Sequence, residues 1–397
     1  MTGPLSHIRV LDLSRIMAGP WAGQILADLG ADVIKVERTG AGDDTRAWGP
    51  PYLKDTSGTQ TGESGYYLSV NRGKRSIELD ISAPDGRETV LALAARSDIV
   101  LENFKSGTLA RYGIGYDDLK RVKGDIIFAS ITGFGQDGPR KADAAYDFMI
   151  QAMGGLMSVT GVPDGEPGAG PQKVGVPIVD IMTGMYTAVA VLAAIARRDQ
   201  TGEGDFIDIA MLDVAAATLA NQAMNYIVSG KAPARSGNKH PNIQPQDVFP
   251  SADGHLVVAV GNDGQFRSFA DVLGRPEWAD DPKFATNGAR VTHLDELHPM
   301  ICARLRDKPL ADWIDALGSR GVPCGPINTV AMVLDDPQIQ HRQIVKDLPH
   351  ALAGTVRQVV SPMKFRNAAL RFERSAPLLG EHTAEVLREL GLDNHGG

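Results

Sequence analysis

Val10-Leu-Asp-Leu13 is followed by Ala18-Gly-Pro-Trp-Ala-Gly23 and then by Val33-Ile-Lys-Val-Glu37. Two short apolar runs flank a glycine-bearing turn, and Pro20 stands where a helix would begin. This order predicts a strand, a crossover helix and a second strand, the repeating unit of a parallel α/β sheet. Glycines at the turn and an acid after the second strand also suit a dinucleotide site. NAD binding is therefore an alternative, although the G-x-G-x-x-G spacing is missing.

The same alternation continues along the chain. Apolar runs at 99–101 and 126–131 predict further strands, and Pro84 lies near the start of another crossover helix. A long Ala-rich helical pattern covers 178–198, and a strand at 206–211 and a helix through 227 follow it. The α/β layer therefore extends past residue 200.

The composition changes after Ser229, where residues 230–246 are rich in Gly, Pro, Asn and Gln. Beyond this segment, Ala252-Asp-Gly254 separates two strand patterns and predicts a hairpin. Helical patterns follow at 264–273, 289–306 and 309–319. We predict a large domain from 1–228 and 327–397, and a linker with a small α+β domain at 229–326.

Composition argues against several classes of protein. The 397 residues contain 40 Lys and Arg against 48 Asp and Glu, and no basic tract is present. Nucleic acid and anionic membranes are therefore disfavoured as partners. Apolar stretches such as 186–196 fall short of the roughly 20 residues of a membrane span, and the first residues lack a signal-peptide pattern. We expect a soluble, cytoplasmic protein. Its two cysteines give neither a disulfide framework nor a zinc site.

Several local motifs carry little weight. Gly133, Gly135 and Gly138 match G-x-G-x-x-G after a strand, but a lone match fits a glycine-rich turn at the edge of a site. Gly73-Lys-Arg-Ser76 lacks the upstream glycine of a phosphate-binding loop. His293 and His298 lack an H-E-x-x-H frame. We expect no metal site.

Asp180 is the unusual carboxylate of this sequence. It lies in the apolar segment Val174–Tyr186, at the start of the long helical pattern. A carboxylate in such surroundings must cap a helix, pair with a cation or perform chemistry. The residues alone leave two interpretations open, an N-cap and a nucleophile, and a helix N-terminus could serve both by keeping the carboxylate ionised.

Short motifs spread along nearly the whole chain resemble those of class III CoA transferases, the family of the formyl-CoA and carnitine CoA-transferases. The matching motifs are Val10-Leu-Asp-Leu13, Ala18-Gly-Pro20, Leu29-Gly-Ala-Asp-Val-Ile-Lys-Val-Glu37, Gly42-Asp-Asp-Thr-Arg46, Lys74-Arg-Ser-Ile77, Glu102-Asn-Phe104, Asp180, Thr183-Gly-Met185 and Leu378-Leu-Gly-Glu-His-Thr383. The resemblance implies an α/β fold with a Rossmann-like large domain built from both chain ends and a smaller central domain. It also implies a homodimer of interlocked, ring-shaped subunits.

The resemblance implies a set of site residues and a CoA thioester as substrate, with no permanently bound cofactor. Asp180 matches the catalytic aspartate. The positions that hold CoA or line its cleft correspond to Ile16, Met17, Ala18, Arg38, Leu79, Asn103, Phe104, Arg111, Tyr146, Asp147 and Met211. Ala144 replaces a lysine that contacts phosphate in some members, and Arg140 or Lys141 is the expected substitute.

Departures from the family pattern narrow the reaction. Ser236-Gly-Asn-Lys-His240 replaces the glycine run of formyl-CoA:oxalate transferases, and Met17 replaces their glutamine, so oxalate and formate are disfavoured. Tyr146 stands where racemases of this fold carry histidine, which disfavours racemisation.

Residues 45–51 and the spacing through His240-Pro241 resemble the glutarate, malate and itaconate group. Succinyl-CoA as donor and a small dicarboxylate as acceptor are therefore implied. We expect the second carboxylate to be recognised by some of Arg15, Arg46, Arg72 and His240. An acyl-CoA racemase or isomerase and a simple NAD- or CoA-binding protein remain the alternatives.

Overall fold

A computed structural model describes residues 3–392. Its strands, β1 to β15 in chain order, are Arg9–Asp12, Asp32–Glu37, Tyr52–Lys54, Gln60–Ser64, Arg75–Glu78, Ile99–Glu102, Ile127–Thr132, Gly161–Val162, Gly170–Pro171, Asp205–Ala210, Gln246–Pro250, His255–Ala259, Cys324–Pro326, Val345–His350 and Gly354–Val359.

The α-helices, α1 to α17 in chain order, are Ala18–Asp28, Gly65–Val70, Pro84–Ala95, Thr108–Arg111, Tyr116–Val122, Asp147–Met153, Leu156–Val159, Ile178–Thr201, Met211–Thr218, Ala220–Ser229, Asp263–Val272, Asn287–Thr292, Leu294–Leu305, Leu310–Gly318, Val330–Asp335, Pro337–His341 and Thr383–Leu390. Short 3-10 helices cover Asp44–Ala47 and Pro276–Ala279.

Six parallel strands form the central sheet in the order β5-β2-β1-β6-β7-β10. Counted along the chain, these strands follow the order 3-2-1-4-5-6 of doubly wound nucleotide-binding sheets. The strand order reverses between β1 and β6, so a crevice is expected at the carboxyl ends of these two strands. The predicted Rossmann-like α/β fold is confirmed.

Helices α1 and α8 pack together against this sheet. Val10, Leu26, Leu101 and Val191 belong to one buried apolar cluster on this side. Gly184 of α8 makes the close approach possible, because a Cβ atom at this position would lie 2.6 Å from the carbonyl oxygen of Ala18. The packing of α8 against α1 thus explains why the Thr183-Gly-Met185 motif has a glycine at its centre.

Helix α8 is the one helix in the described part of the chain that is long and apolar enough to cross a membrane. The helix has 24 residues and is longer than the apolar stretch 186–196 noted in the sequence. Its length alone therefore does not exclude a membrane-spanning helix. Half of its apolar window is buried inside the protein. The core helix of a soluble domain has the same properties.

The chain divides into two compact units. The first contains residues 3–156, 173–228 and 338–392, and the second contains 157–172 and 229–337. The division after residue 228 coincides with the predicted boundary. Two segments differ from the prediction, because 157–172 and 327–337 lie with the second unit.

The second unit contains the predicted hairpin, formed by the antiparallel strands β11 and β12. Strand β13 joins this pair, and helices α11, α13 and α14 supply buried side chains to its core, including Phe269, Ile301 and Trp313. The helix predicted over 289–306 is two helices, α12 and α13, because the helical conformation is interrupted at His293.

Candidate active site

The loops after β1 and β6 meet at the point where the strand order reverses. The backbone N–H of Arg15 donates to the side-chain oxygen of Asn103 at 2.8 Å, and the Asn103 amide donates back to the Arg15 carbonyl oxygen at 2.7 Å. These paired hydrogen bonds fix the backbone at Arg15. The predicted CoA residue Asn103 therefore has a positioning role.

A cavity of about 250 Å³ opens beside these loops. It brings together three of the predicted CoA residues, Arg38, Leu79 and Phe104. Its other walls come from Leu13, Arg15, Lys35, Val36, Glu37, Gly42, Asp43, Asp80, Ile81, Ser82 and Tyr112. Apolar and aromatic walls with arginines beside them suit a nucleotide, whose base stacks and whose phosphates need cations.

A second cavity of about 320 Å³ contains Asp180. Three predicted residues, Ile16, Tyr146 and Asp147, also line it. The remaining walls are Trp48, Tyr66, Phe148, Lys173, Gly175 and Pro177. We call the first cavity, lined by Arg15, Arg38 and Phe104, the nucleotide-like cavity because its lining suits a nucleotide. Ile16 of the Asp180 cavity directly follows Arg15 of the nucleotide-like cavity, so the two cavities are adjacent along the backbone.

Asp180 is the third residue of α8, and its side chain does not cap the helix. The carboxylate of Asp147 does so, accepting hydrogen bonds from the N–H groups of Val179 at 2.8 Å and Asp180 at 3.2 Å. Asp147 is held in turn by the Gln151 amide at 2.6 Å. The N-cap interpretation of Asp180 is therefore wrong, and its carboxylate remains available to the cavity.

Asp180 is 8% exposed, and its environment favours the protonated form. Burial, together with the nearby charge of Asp147, raises the pKa of Asp180 from 3.8 to about 7. The helix N-terminus does not favour the ionised form of Asp180 as expected, because Asp147 takes those N–H groups and adds a negative charge. The same surroundings raise the pKa of Tyr66, chiefly through burial, to about 12, so Tyr66 keeps its hydroxyl proton.

The loop that carries Ile16 is strained and held by a buried ion pair. Ile16 has φ +74°, which is costly for a β-branched residue. Its N–H donates to the carboxylate of Asp43 at 3.2 Å, and fully buried Lys35 binds both Asp43 and the Ser14 carbonyl oxygen. Although burial opposes ionisation, Lys35 lowers the pKa of Asp43 to about 2. The loop is thereby fixed at the edge of the Asp180 cavity.

Glu37, the acid considered for ribose binding, is used inside the protein. Its carboxylate accepts hydrogen bonds from Arg46, Tyr67, Ser76 and the Asp43 N–H. With both oxygens occupied and the side chain buried, it is not free for a ribose hydroxyl. The NAD alternative loses its acidic residue.

Other predicted CoA residues lie outside both cavity linings. Met17, Ala18 and Met211 are buried, and Met211 packs with Ala18 in one apolar cluster. Arg111 is exposed and contacts Thr108. These four are placed near strand or helix ends, and their contact with CoA remains a prediction.

Arg140, an expected substitute for the phosphate-contacting lysine, and the glycine-rich turn at 133–138 are engaged elsewhere. Arg140 pairs with Asp143 at 2.9 Å and lies over the ring of Phe134. In the glycine-rich turn, the Gly135 N–H donates to Thr132 and the Gln136 N–H donates to Asp208. Neither group lines the Asp180 cavity.

The three arginines proposed for a second carboxylate are not gathered around Asp180. Arg46 is buried between Glu37 and Glu63, and Arg72 is buried against Asp28. Arg15 lines the other cavity, and His240 belongs to the second compact unit.

Lys173 is the cation that the structure does place at the Asp180 cavity. No sequence motif marked it. Its only signal was a position seven residues before Asp180.

A buried carboxylate at a helix start, with a cavity suited to a nucleotide at the nearby strand ends, is the arrangement expected of an enzyme that acts on a nucleotide-bearing substrate. Residues 5–383 match the family described as CoA-transferase family III. The chain belongs to this family and is a CoA transferase, as its sequence motifs indicated.

Relatives and solved structures agree with this assignment. The chain is 48% identical to a succinate–glutarate CoA-transferase of Agrobacterium fabrum, covering 98% of this chain and 96% of the relative. It is 40% identical to the succinyl-CoA:glutarate CoA-transferase of Mus musculus, covering 98% and 86%. The crystal structure of a CaiB/BaiF family protein from Brucella suis matches with a TM-score of 0.86 and 46% identity, over 98% of this chain and all of that one.

Proposed function

We propose that this enzyme moves CoA from succinyl-CoA to a small dicarboxylate such as glutarate, with Asp180 as the covalent nucleophile. The observation that carries the proposal is the position of Asp180, buried beside a cavity that also holds Lys173. Relatives that match nearly the whole chain are named for succinate and glutarate. A dicarboxylate suits a cavity in which a cation can hold the carboxylate that does not react.

The first half-reaction transfers CoA to the enzyme. An oxygen of the Asp180 carboxylate attacks the thioester carbon of succinyl-CoA, the C–S bond breaks, and CoA leaves as a thiolate. The product is a mixed anhydride of Asp180 and succinate. The thiolate then attacks the Asp180 carbonyl carbon and releases succinate, leaving an aspartyl-CoA thioester.

The second half-reaction reverses these steps with another acid. The acceptor carboxylate attacks the aspartyl thioester, CoA thiolate leaves, and the thiolate attacks the acceptor's acyl carbon of the new anhydride. The Asp180 carboxylate is regenerated. Thioester energy is conserved throughout, provided that water does not reach the anhydride.

The environment of Asp180 suits a nucleophile of this kind. A carboxylate with a pKa of about 7 is more basic, and hence more nucleophilic, than an exposed aspartate, yet a large fraction of it is ionised near neutral pH. Asp147 holds the start of α8 and so fixes the backbone of Asp180. Tyr66 remains a neutral hydroxyl donor in the same cavity.

Trapping and substrate panels test this mechanism. Wild-type protein incubated with succinyl-CoA and treated with borohydride or hydroxylamine should carry a modification on Asp180 in peptide mass spectrometry. Asp180→Ala should lose transfer while still binding CoA. Glutarate should exceed acetate and butyrate as acceptor. Substantial transfer by the alanine variant, or a label on another residue, would overturn the mechanism.

Racemisation is not favoured as the activity. Tyr146 rather than histidine lines the cavity beside Asp180, and both curated relatives described above are CoA transferases. A racemase would exchange the α-hydrogen of its acyl-CoA with solvent. Absence of deuterium at this carbon after incubation in D2O separates the two activities.

We further propose a homodimer, acting in the cytoplasm, whose partner subunit covers apolar side chains of α8. Met185, Tyr186, Val189 and Leu192 are exposed on this helix, with Val189 at 61%. A second copy is the partner that the family resemblance implies, and covering these side chains would remove apolar surface from water. Analytical ultracentrifugation at nanomolar concentration should show a dimer, and a stable, active monomer would refute it.

A further inference from the structure

We propose that Arg15 and Arg38 together bind a phosphate group of CoA, and that Asp44 occupies this arginine pair until the phosphate arrives. The inference rests on the proposed function, because it takes CoA as the ligand of the nucleotide-like cavity. Arg38 is implied by the family resemblance. The roles of Arg15 and Asp44 come from the geometry below.

Asp44 bridges the two arginines with one carboxylate oxygen for each. Arg15 Nη1 lies 2.9 Å from Asp44 Oδ2, and Arg38 Nη2 lies 3.0 Å from Asp44 Oδ1. Both arginines line the cavity, whereas Asp44 is not among its lining residues. The carboxylate thus gathers two cations at the cavity wall, in the bridged arrangement that a phosphate group would also favour.

Arg15 is prepared for a further acceptor. Its backbone is fixed by the paired hydrogen bonds to Asn103, and its guanidinium lies 5.3 Å from the ring centre of Phe104. Its Nε is buried and makes no hydrogen bond within the described chain. A buried donor without an acceptor is costly, so a shift of the Arg15 side chain that let a phosphate oxygen accept from Nε would be favourable.

Asp44 is rigidly placed but weakly bound to the arginines. It opens the 3-10 helix Asp44–Ala47, which Asp43 caps through the Thr45 N–H, and buried Lys35 holds Asp43. The two ion pairs with Arg15 and Arg38 are partly exposed, and such pairs contribute little to stability. A phosphate can therefore displace the carboxylate without disturbing the loop.

The charges of the three residues favour a phosphate. Arg15, Arg38 and Asp44 together carry a net charge of about +1, which rises to about +2 at the arginines once Asp44 no longer bridges them. Apolar walls from Leu79, Ile81 and Phe104 provide the adjoining surface for a base. A nucleotide suits both the arginines and the apolar walls, through its phosphates and its base respectively. CoA offers a pyrophosphate and a 3′-phosphate.

Equilibrium binding by calorimetry tests the roles without requiring turnover. Arg15→Gln should raise the Kd for CoA roughly 10- to 100-fold. Asp44→Asn should lower the Kd for CoA, by about 2- to 5-fold, because no carboxylate competes. Arg121→Gln, which removes an exposed arginine paired with Asp118, is the matched control and should leave the Kd unchanged.

Dephospho-CoA identifies the phosphate. If Arg15→Gln weakens CoA and dephospho-CoA equally, the pyrophosphate is bound; if it weakens CoA alone, the 3′-phosphate is bound. An unchanged Kd for both ligands, in a variant whose thermal midpoint matches that of Arg121→Gln, would overturn the role of Arg15. Weaker CoA binding by Asp44→Asn would overturn the competing role of Asp44. Failure of wild-type protein to bind CoA would instead refute the proposed function.

Discussion

Replacing Asp180 with asparagine should stabilise the folded protein above neutral pH while abolishing transfer. In the folded state, burial and Asp147 raise the pKa of Asp180 from 3.8 to about 7. Each unit of pKa corresponds to about 1.4 kcal/mol, so holding Asp180 ionised costs up to about 4 kcal/mol of folding free energy. Asparagine removes this cost because its amide stays neutral.

The sign of the pH dependence follows from the raised pKa. Folding takes up a proton between pH 3.8 and about 7, so the favourable contribution of Asp180 is fully present below 3.8. It is lost as pH rises through about 7 and stays lost above that value. The stability advantage of Asp180→Asn should therefore grow with pH and then level off.

Urea unfolding at about pH 5.5 and about pH 8 measures this effect, at one protein concentration so that any dimerisation is matched. The advantage of Asp180→Asn should increase by about 2 kcal/mol between these pH values. Asp213→Asn is a matched control, because Asp213 is also the third residue of its helix but is exposed. An advantage of Asp180→Asn that is the same at both pH values would show that the pKa of Asp180 is not raised.

Three further outcomes are expected. The rate of transfer should rise with pH through about 7, because the proposed mechanism uses the ionised form of Asp180 as the nucleophile. A flat kcat/KM profile across that range would contradict this. Lys173→Met should raise the KM for dicarboxylate acceptors roughly tenfold and leave the KM for monocarboxylates unchanged, whereas Lys173→Arg should keep the preference for dicarboxylates. Equal effects on both kinds of acid would exclude Lys173 from acid recognition. Gly184→Ala should destabilise the protein by about 1–3 kcal/mol, because the added Cβ would lie 2.6 Å from the Ala18 carbonyl oxygen. In the same thermal unfolding assay the control Gly288→Ala should be tolerated, because a Cβ at this position would have no atom within 4 Å.

Much of the fold could be predicted because its signals are local. The apolar runs of β1 and β2 with a helix between them predicted a parallel sheet, and the hairpin turn at Ala252-Asp-Gly254 predicted the pairing of β11 and β12. Helix breaks were less predictable. The pattern over 289–306 has no strong breaker at His293, and the positive φ of Ala220 separates α9 from α10 without a glycine to signal it.

Several residues that line the two cavities could be named from the sequence, but their electrostatics could not. Apolar neighbours and position marked Asp180, and the family motifs supplied Ile16, Arg38 and Phe104, which the structure places on two cavities joined at Arg15 and Ile16. Two of the second-carboxylate candidates, Arg46 and Arg72, are engaged in buried ion pairs that the sequence did not indicate. Their acidic partners are far enough along the chain that no local pattern reveals the buried ion pairs.

The sequence by itself determined the sheet, its crossover helices and the choice of Asp180 as the candidate nucleophile, because hydrophobic periodicity and short motifs depend on neighbouring residues. Only the tertiary structure decided the state of that aspartate. Asp147, 33 residues earlier, takes the helix N–H groups that would have lowered the pKa of Asp180, and burial removes the water that would have kept that pKa near its usual value. Protonation is set by every charge and every solvent molecule nearby in space, and distance in space is what a linear sequence does not record.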